Sequence, residues 1–82
     1  MIKLRYKGVN GVGIKLYDTL QEFMSEVGSF FNYQSEKHKL NYEVLEFIVC
    51  GLDVAEPNMT IGKLFQMYVR RGVNFTMKGA IA

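Results

Sequence analysis

The chain opens with two short stretches in which apolar and polar residues alternate. Ile2, Leu4 and Tyr6 alternate with Lys3, Arg5 and Lys7, and Ile14 and Leu16 alternate with Lys15 and Tyr17. A period of two predicts a pair of half-buried strands joined as a hairpin. A two-residue turn at Asn10-Gly11 would bring Ile14 and Leu16 onto the face of Lys3, Arg5 and Lys7. A loop of Val9, Asn10 and Gly11, with the glycine left-handed as in a G1 bulge, instead pairs Leu4 with Leu16 and Tyr6 with Ile14. The expected hairpin therefore turns all five apolar side chains one way. Lys3, Arg5, Lys7 and Lys15 lie on its outward face, with Tyr17 at the end.

The period then changes. Leu20, Phe23, Met24, Val27 and Phe31 follow helical spacing, with Gln21, Glu22, Ser25, Glu26 and Ser29 opposite. Thr19 with Glu22 forms a capping-box pattern, so a helix is predicted from Leu20. Residues 32–39 are polar and aperiodic and read as a loop. Residues 40–50 allow a helix or a strand. The strand is favoured because Tyr, Val, Phe and Ile dominate, but Glu43 and Glu46 have opposite parity, which requires a bulge near Val44-Leu45 or a start at Val44. Pro57-Asn58 punctuates the following connection. Thr60 is a second N-cap, with Met59 and Leu64 in a hydrophobic-staple pattern. Ile61, Leu64, Phe65 and Tyr68 form one helical face, and Gly72 stands where a C′ glycine belongs. Val73, Phe75 and Met77 alternate with Asn74, Thr76 and Lys78, a last strand, leaving residues 79–82 as a short tail.

Length fits a single domain over residues 1–82 with one modest core. The net charge of +2 says little, but its distribution says more. Residues 1–17 hold four cations and no acid, residues 18–56 eight acids and two lysines, and residues 57–82 four cations and no acid. A one-signed cluster on the hairpin attracts polyanions or acidic protein surfaces, although lysines on a strand also simply discourage edge pairing. Arg70 and Arg71 suit the C-terminal dipole of their helix and, with Lys78, join the candidate partner contacts.

Candidate chemistry is sparse. Cys50 lies in an apolar run and is expected to be a buried, inert thiol; as the sole cysteine it excludes an internal disulfide. His38, the sole histidine, has no ligand or triad partner at recognisable spacing. No acid–base pair, activated nucleophile or phosphate loop is evident, so no enzyme activity, cofactor or metal is expected. The longest apolar run, Phe47 to Leu52, is too short for a bilayer span, and no signal-peptide core opens the sequence. A cytoplasmic location without membrane attachment is the expectation.

The element order is β-β-α-β-α-β, an α+β domain with one main helix on one face of a mixed sheet. Met1 to Thr19 as hairpin, Leu20 to Phe31 as helix, Tyr42 to Leu52 as strand, and Thr60 to Leu64 leading to Val73 through Lys78 resemble the ubiquitin-like β-grasp superfamily. The resemblance implies that the first and last strands are parallel neighbours, with Lys3, Arg5 and Lys7 beside Asn74, Thr76 and Lys78. It also implies a docking role through the exposed sheet. Conjugating members end in Gly-Gly, whereas this chain ends Gly79-Ala80-Ile81-Ala82, so that activity does not carry over.

The expected function is a small non-catalytic interaction module, a regulatory subunit, adaptor or inhibitor. Its partner would be a protein with an acidic surface, met by Lys3, Arg5, Lys7, Lys15, Tyr17, Arg70, Arg71 and Lys78. The alternative is nucleic-acid binding by the same basic hairpin, with Tyr17 stacking a base. A homodimer through an unpaired edge between residues 40 and 50 is a further expectation.

Overall fold

The computed structural model describes residues 1–71. The elements run β1 (Ile2–Gly8), β2 (Gly11–Tyr17), α1 (Leu20–Phe30), a 3₁₀ helix (Gln34–Asn41), β3 (Glu43–Val49), β4 (Leu52–Asp53) and α2 (Ile61–Arg70). The strands form one sheet in the order β2-β1-β3-β4, every pair antiparallel. The chain is thus a small α+β domain. Both edges of β1 are bonded, one to β2 and one to β3. The position expected for the last strand, beside β1, is therefore filled by β3. The expected strand at 73–78, the tail at 79–82 and the C′ glycine Gly72 lie outside the described residues.

Both helices start where their caps predict. Thr19 Oγ1 accepts from the Glu22 N–H at 3.2 Å, and Glu22 Oε1 accepts from the Asp18 N–H at 2.9 Å. The capping box is thus shifted by one residue on its return bond. Thr60 Oγ1 accepts from the Lys63 N–H at 3.2 Å. All four predicted inward residues of α2, Ile61, Leu64, Phe65 and Tyr68, are buried. In α1 the inward residues are Phe23, Met24, Val27 and Phe30. Phe31 falls just past the helix as its C-cap and lays its ring against Phe65 at 5.2 Å, so the helix ends one residue before the expected limit. The expected loop after it is largely the 3₁₀ helix.

The core lies between the helices and one face of the sheet. Phe47 is fully buried at its centre, with its ring 4.7 Å from Phe23 and 6.1 Å from Tyr68. Ile2, Leu4 and Val44 join it from the sheet. Residues 43–49 are a strand, and the register shifts between Arg5 and Tyr6, opposite Val44 to Glu46, as the parity of the two glutamates required. That strand is internal: beyond its pairing with β4, the Val44 N–H donates to Met59 O at 2.8 Å and the Ile61 N–H to Tyr42 O at 3.0 Å. The edge expected between residues 40 and 50 is therefore absent; the long edge is β2.

Two local expectations are corrected. Cys50 is exposed, because Cys50 and Gly51 are the turn of the β3–β4 hairpin, with φ of 54° and 79°. Positive φ at both central residues is the signature of a type I′ turn, which continues the sheet twist and projects its side chains to solvent. The opening hairpin also takes a different register. Its connection is the pair Val9-Asn10, Gly8 faces Gly11, and Leu4 pairs with Lys15, not Leu16. Positive φ falls on Gly11, at 116°, the first residue of β2.

Candidate functional site

Paired residues of antiparallel strands project to the same face, so the register dictates what each face carries. With helices on one side, the open face is built from three cross-strand rows. Leu16, Lys3, Ile48 and Asp53 form the first; Ile14, Arg5 and Glu46 the second; Val12, Lys7 and Glu43 the third. Read by strand, β2 contributes an apolar line, β1 a cationic line and β3 both glutamates.

The apolar line is the unforeseen part. Val12, Ile14 and Leu16 are 58%, 57% and 59% exposed, against 5% and 1% for Ile2 and Leu4. Ile14 and Leu16 were expected inside; the two-residue connection places them, together with Val12, outside, on an edge strand of the described sheet. Among the described residues this edge has no strand partner, and a contiguous apolar row on such an edge is what small domains usually avoid.

The cations Lys3, Arg5 and Lys7 do share this face. Arg5 Nε donates to Glu46 Oε1 at 3.0 Å and Lys3 Nζ lies 3.7 Å from the same oxygen. Lys7 stands opposite Glu43 in the register. Three cations are thus set against three carboxylates, counting Asp53, and among the described residues the face expected to be basic carries no formal net charge. Asp53 Oδ1 accepts from the Ala55 and Phe47 N–H groups, which, aided by Arg5, hold its carboxyl below the usual carboxylate range.

Lys15 and Tyr17 do not belong to this face. They project toward the helices, where Tyr17 is buried at 6% exposure and its hydroxyl donates to Glu26 Oε2 at 2.7 Å. Lys15 Nζ reaches the same oxygen at 2.7 Å. Burial, reinforced by the Glu26 carboxylate, pushes the Tyr17 phenol far up, so it remains a donor. For Glu26 burial works upward, but the Lys15 and Tyr17 hydrogen bonds, with the Lys15 and Lys39 charges, outweigh it and hold the carboxyl below its ordinary range. Tyr17 is therefore unavailable to stack a base.

Arg70 and Arg71 lie at the end of α2, in the helix layer. With Lys63 they border a broad open groove of about 930 Å³ floored by Leu40, Met59 and Met67. They do not converge with Lys3, Arg5 and Lys7, and Lys78 lies outside the described residues. His38 is exposed, its ring edge-on to Tyr42 at 5.7 Å. Among the described residues no group of three His, Cys, Asp or Glu side chains is placed to hold a metal, and no helix is long and apolar enough to cross a membrane.

One signal in the sequence marks the register that parity missed. Tyr6 lies across Gly13, where an added Cβ would sit 2.5 Å from the ring, and stacks on Tyr42 at 5.6 Å with planes 2° apart. A glycine facing an aromatic across a strand pair is a recognised packing device. Comparison with protein-family models, with curated proteins and with solved structures finds no match.

Proposed function

We propose that the protein is a small non-catalytic docking module of the cytoplasm, and that it binds a protein partner through the open face of its sheet. The observation that carries the reading is the row Val12, Ile14 and Leu16, more than half exposed on an edge strand and bordered by Lys3, Arg5 and Lys7. Apolar side chains at such a site supply affinity, while the adjoining charges favour one orientation of the partner. The charge balance with Glu43, Glu46 and Asp53 weighs against a polyanion, and nothing in the placement of Tyr17 favours a base. The β-grasp likeness is not needed for this reading.

The test is capture of partners by the tagged protein, with and without nuclease, comparing wild type with Lys3→Glu/Lys7→Glu. Arg5 is left intact because it holds Glu46 at 3.0 Å. Retention by wild type of a discrete protein that survives nuclease, and its loss in the variant, is expected. Unchanged capture by the variant removes this face from the account.

A further inference from the structure

We propose that β2 is a self-recognition edge, and that two copies join antiparallel about a two-fold axis at Ile14 to form one continuous eight-stranded sheet. The inference goes beyond the docking reading of the open face: the second copy occupies the edge of β2, and the partner met through Lys3 and Lys7 is a separate contact. The strand runs Gly11 to Tyr17 with Ile14 at its centre, and its outer side has no strand partner among the described residues. Alternate backbone N–H and C=O groups there lack a ladder, the usual template for strand addition.

The register follows from parity. A one-residue slip would set Ile14 beside Lys15 of the other copy and put the helices on opposite faces. Centring on Ile14 avoids this and pairs all seven residues. Ile14 then meets Ile14, and Val12 meets Leu16 on both sides, so the two exposed apolar rows merge into one stripe. On the helix side Lys15 meets Gly13, and Gly11 meets Tyr17. The strand is self-complementary under a two-fold, as an isologous contact requires.

Electrostatics permits the pairing. Each Lys15 carries its own Glu26 carboxylate at 2.7 Å, so two neutralised pairs approach each other. The two cationic β1 strands would be separated by three strand spacings, roughly 14 Å. That exceeds the Debye length of about 8 Å at physiological ionic strength, and Glu46 already compensates Lys3 and Arg5. The assembly also closes: β2 is consumed, and the remaining edge, β4, is only two residues long. The contact is narrow compared with the roughly 1,200 Å² of stable interfaces, so association is reversible and concentration-dependent.

Sedimentation velocity of the purified chain, from tens of micromolar to millimolar, reads the equilibrium directly. A monomer–dimer shift is expected, abolished by Ile14→Lys and retained in Lys3→Glu/Lys7→Glu, with circular dichroism showing both variants folded. Mixed isotope labelling should give intermolecular contacts between the two Ile14 side chains. A strict monomer at millimolar concentration overturns the proposal, as does a dimer indifferent to Ile14→Lys. A monomer whose β2 amides are nevertheless protected from hydrogen exchange also overturns it, because the edge is then already covered within one chain. In either monomeric case capture of another protein through Lys3 and Lys7 would leave the docking reading standing, so the two failures are separable.

Discussion

Removing one oxygen from Tyr17 discriminates between the hairpin register that parity favours and the one the chain adopts. In the first, Tyr17 ends an outward face and Tyr17→Phe is neutral. In the second, the hydroxyl is buried and donates to Glu26 Oε2 at 2.7 Å, while the ring meets Phe23 edge-on at 5.5 Å. Phenylalanine keeps the ring contact and leaves no orphan donor, so only the hydrogen bond is lost. A bond to a charged acceptor contributes about 1.5–3 kcal/mol when well shielded. The Glu26 side chain is 33% exposed and keeps Lys15, which places the expected loss near the lower end, about 1–1.5 kcal/mol. For a domain of this size that is a drop in Tm of roughly 4–12 °C.

Urea and thermal unfolding followed by circular dichroism measure the loss, and pH gives an independent readout. The folded Glu26 carboxyl lies below its ordinary value, so its contribution is complete above the unfolded pKa and is lost as pH falls through the folded one. Without the Tyr17 donor the folded value rises toward the ordinary range. The stability gap between wild type and Tyr17→Phe should therefore narrow as the medium is made acidic. A Tyr17→Phe protein as stable as wild type at neutral pH, or a gap that widens in acid, would refute the adopted register and the Tyr17–Glu26 bond together.

Two further outcomes follow from single positions. Cys50, exposed in the β3–β4 turn, should react with a thiol reagent in the native protein as fast as in urea, whereas strong native protection would place it back in the core. Thr60→Ala removes the acceptor of the Lys63 N–H and should cost about 1 kcal/mol in denaturant unfolding, and no loss would mean that the cap contributes nothing to α2.

The helices were legible because their signals are local. Thr19 and Thr60 stand one residue before the first helical turn, and the spacing of Ile61, Leu64, Phe65 and Tyr68 needs no knowledge of the sheet. The bulge of β3 was legible for the same reason, since Glu43 and Glu46 cannot share a face without an extra residue. The hairpin register was not local. Parity assumed that Ile14 and Leu16 must be inside, but the adopted register instead turns Tyr17 inward, where Glu26 satisfies its hydroxyl, and sets Gly13 against the Tyr6 ring, which leaves Ile14 and Leu16 outside. Cys50 was misplaced because Val49 and Leu52 flank it, making a turn look like the middle of an apolar run.

The electrostatic character of the candidate site turns on the one extra residue in β3. Beyond the pair Arg5 and Glu46 an unbroken ladder would set Leu45 against Tyr6, Val44 against Lys7 and Glu43 against Gly8. Val44 would then face solvent and Glu43 the core side. The bulge sets Val44 against Tyr6 and Glu43 against Lys7, burying the valine to 4% exposure and returning the carboxylate to the open face. Glu43 thereby joins Glu46 and Asp53, so that among the described residues the three cations of β1 share their face with three carboxylates of β3 and β4. Steep salt dependence arises when a protein releases counterions from phosphates it neutralises. A charge-balanced face releases few, and the apolar row of β2 releases none. Binding through this face should therefore persist as salt rises, which separates a protein partner from a nucleic acid in one titration.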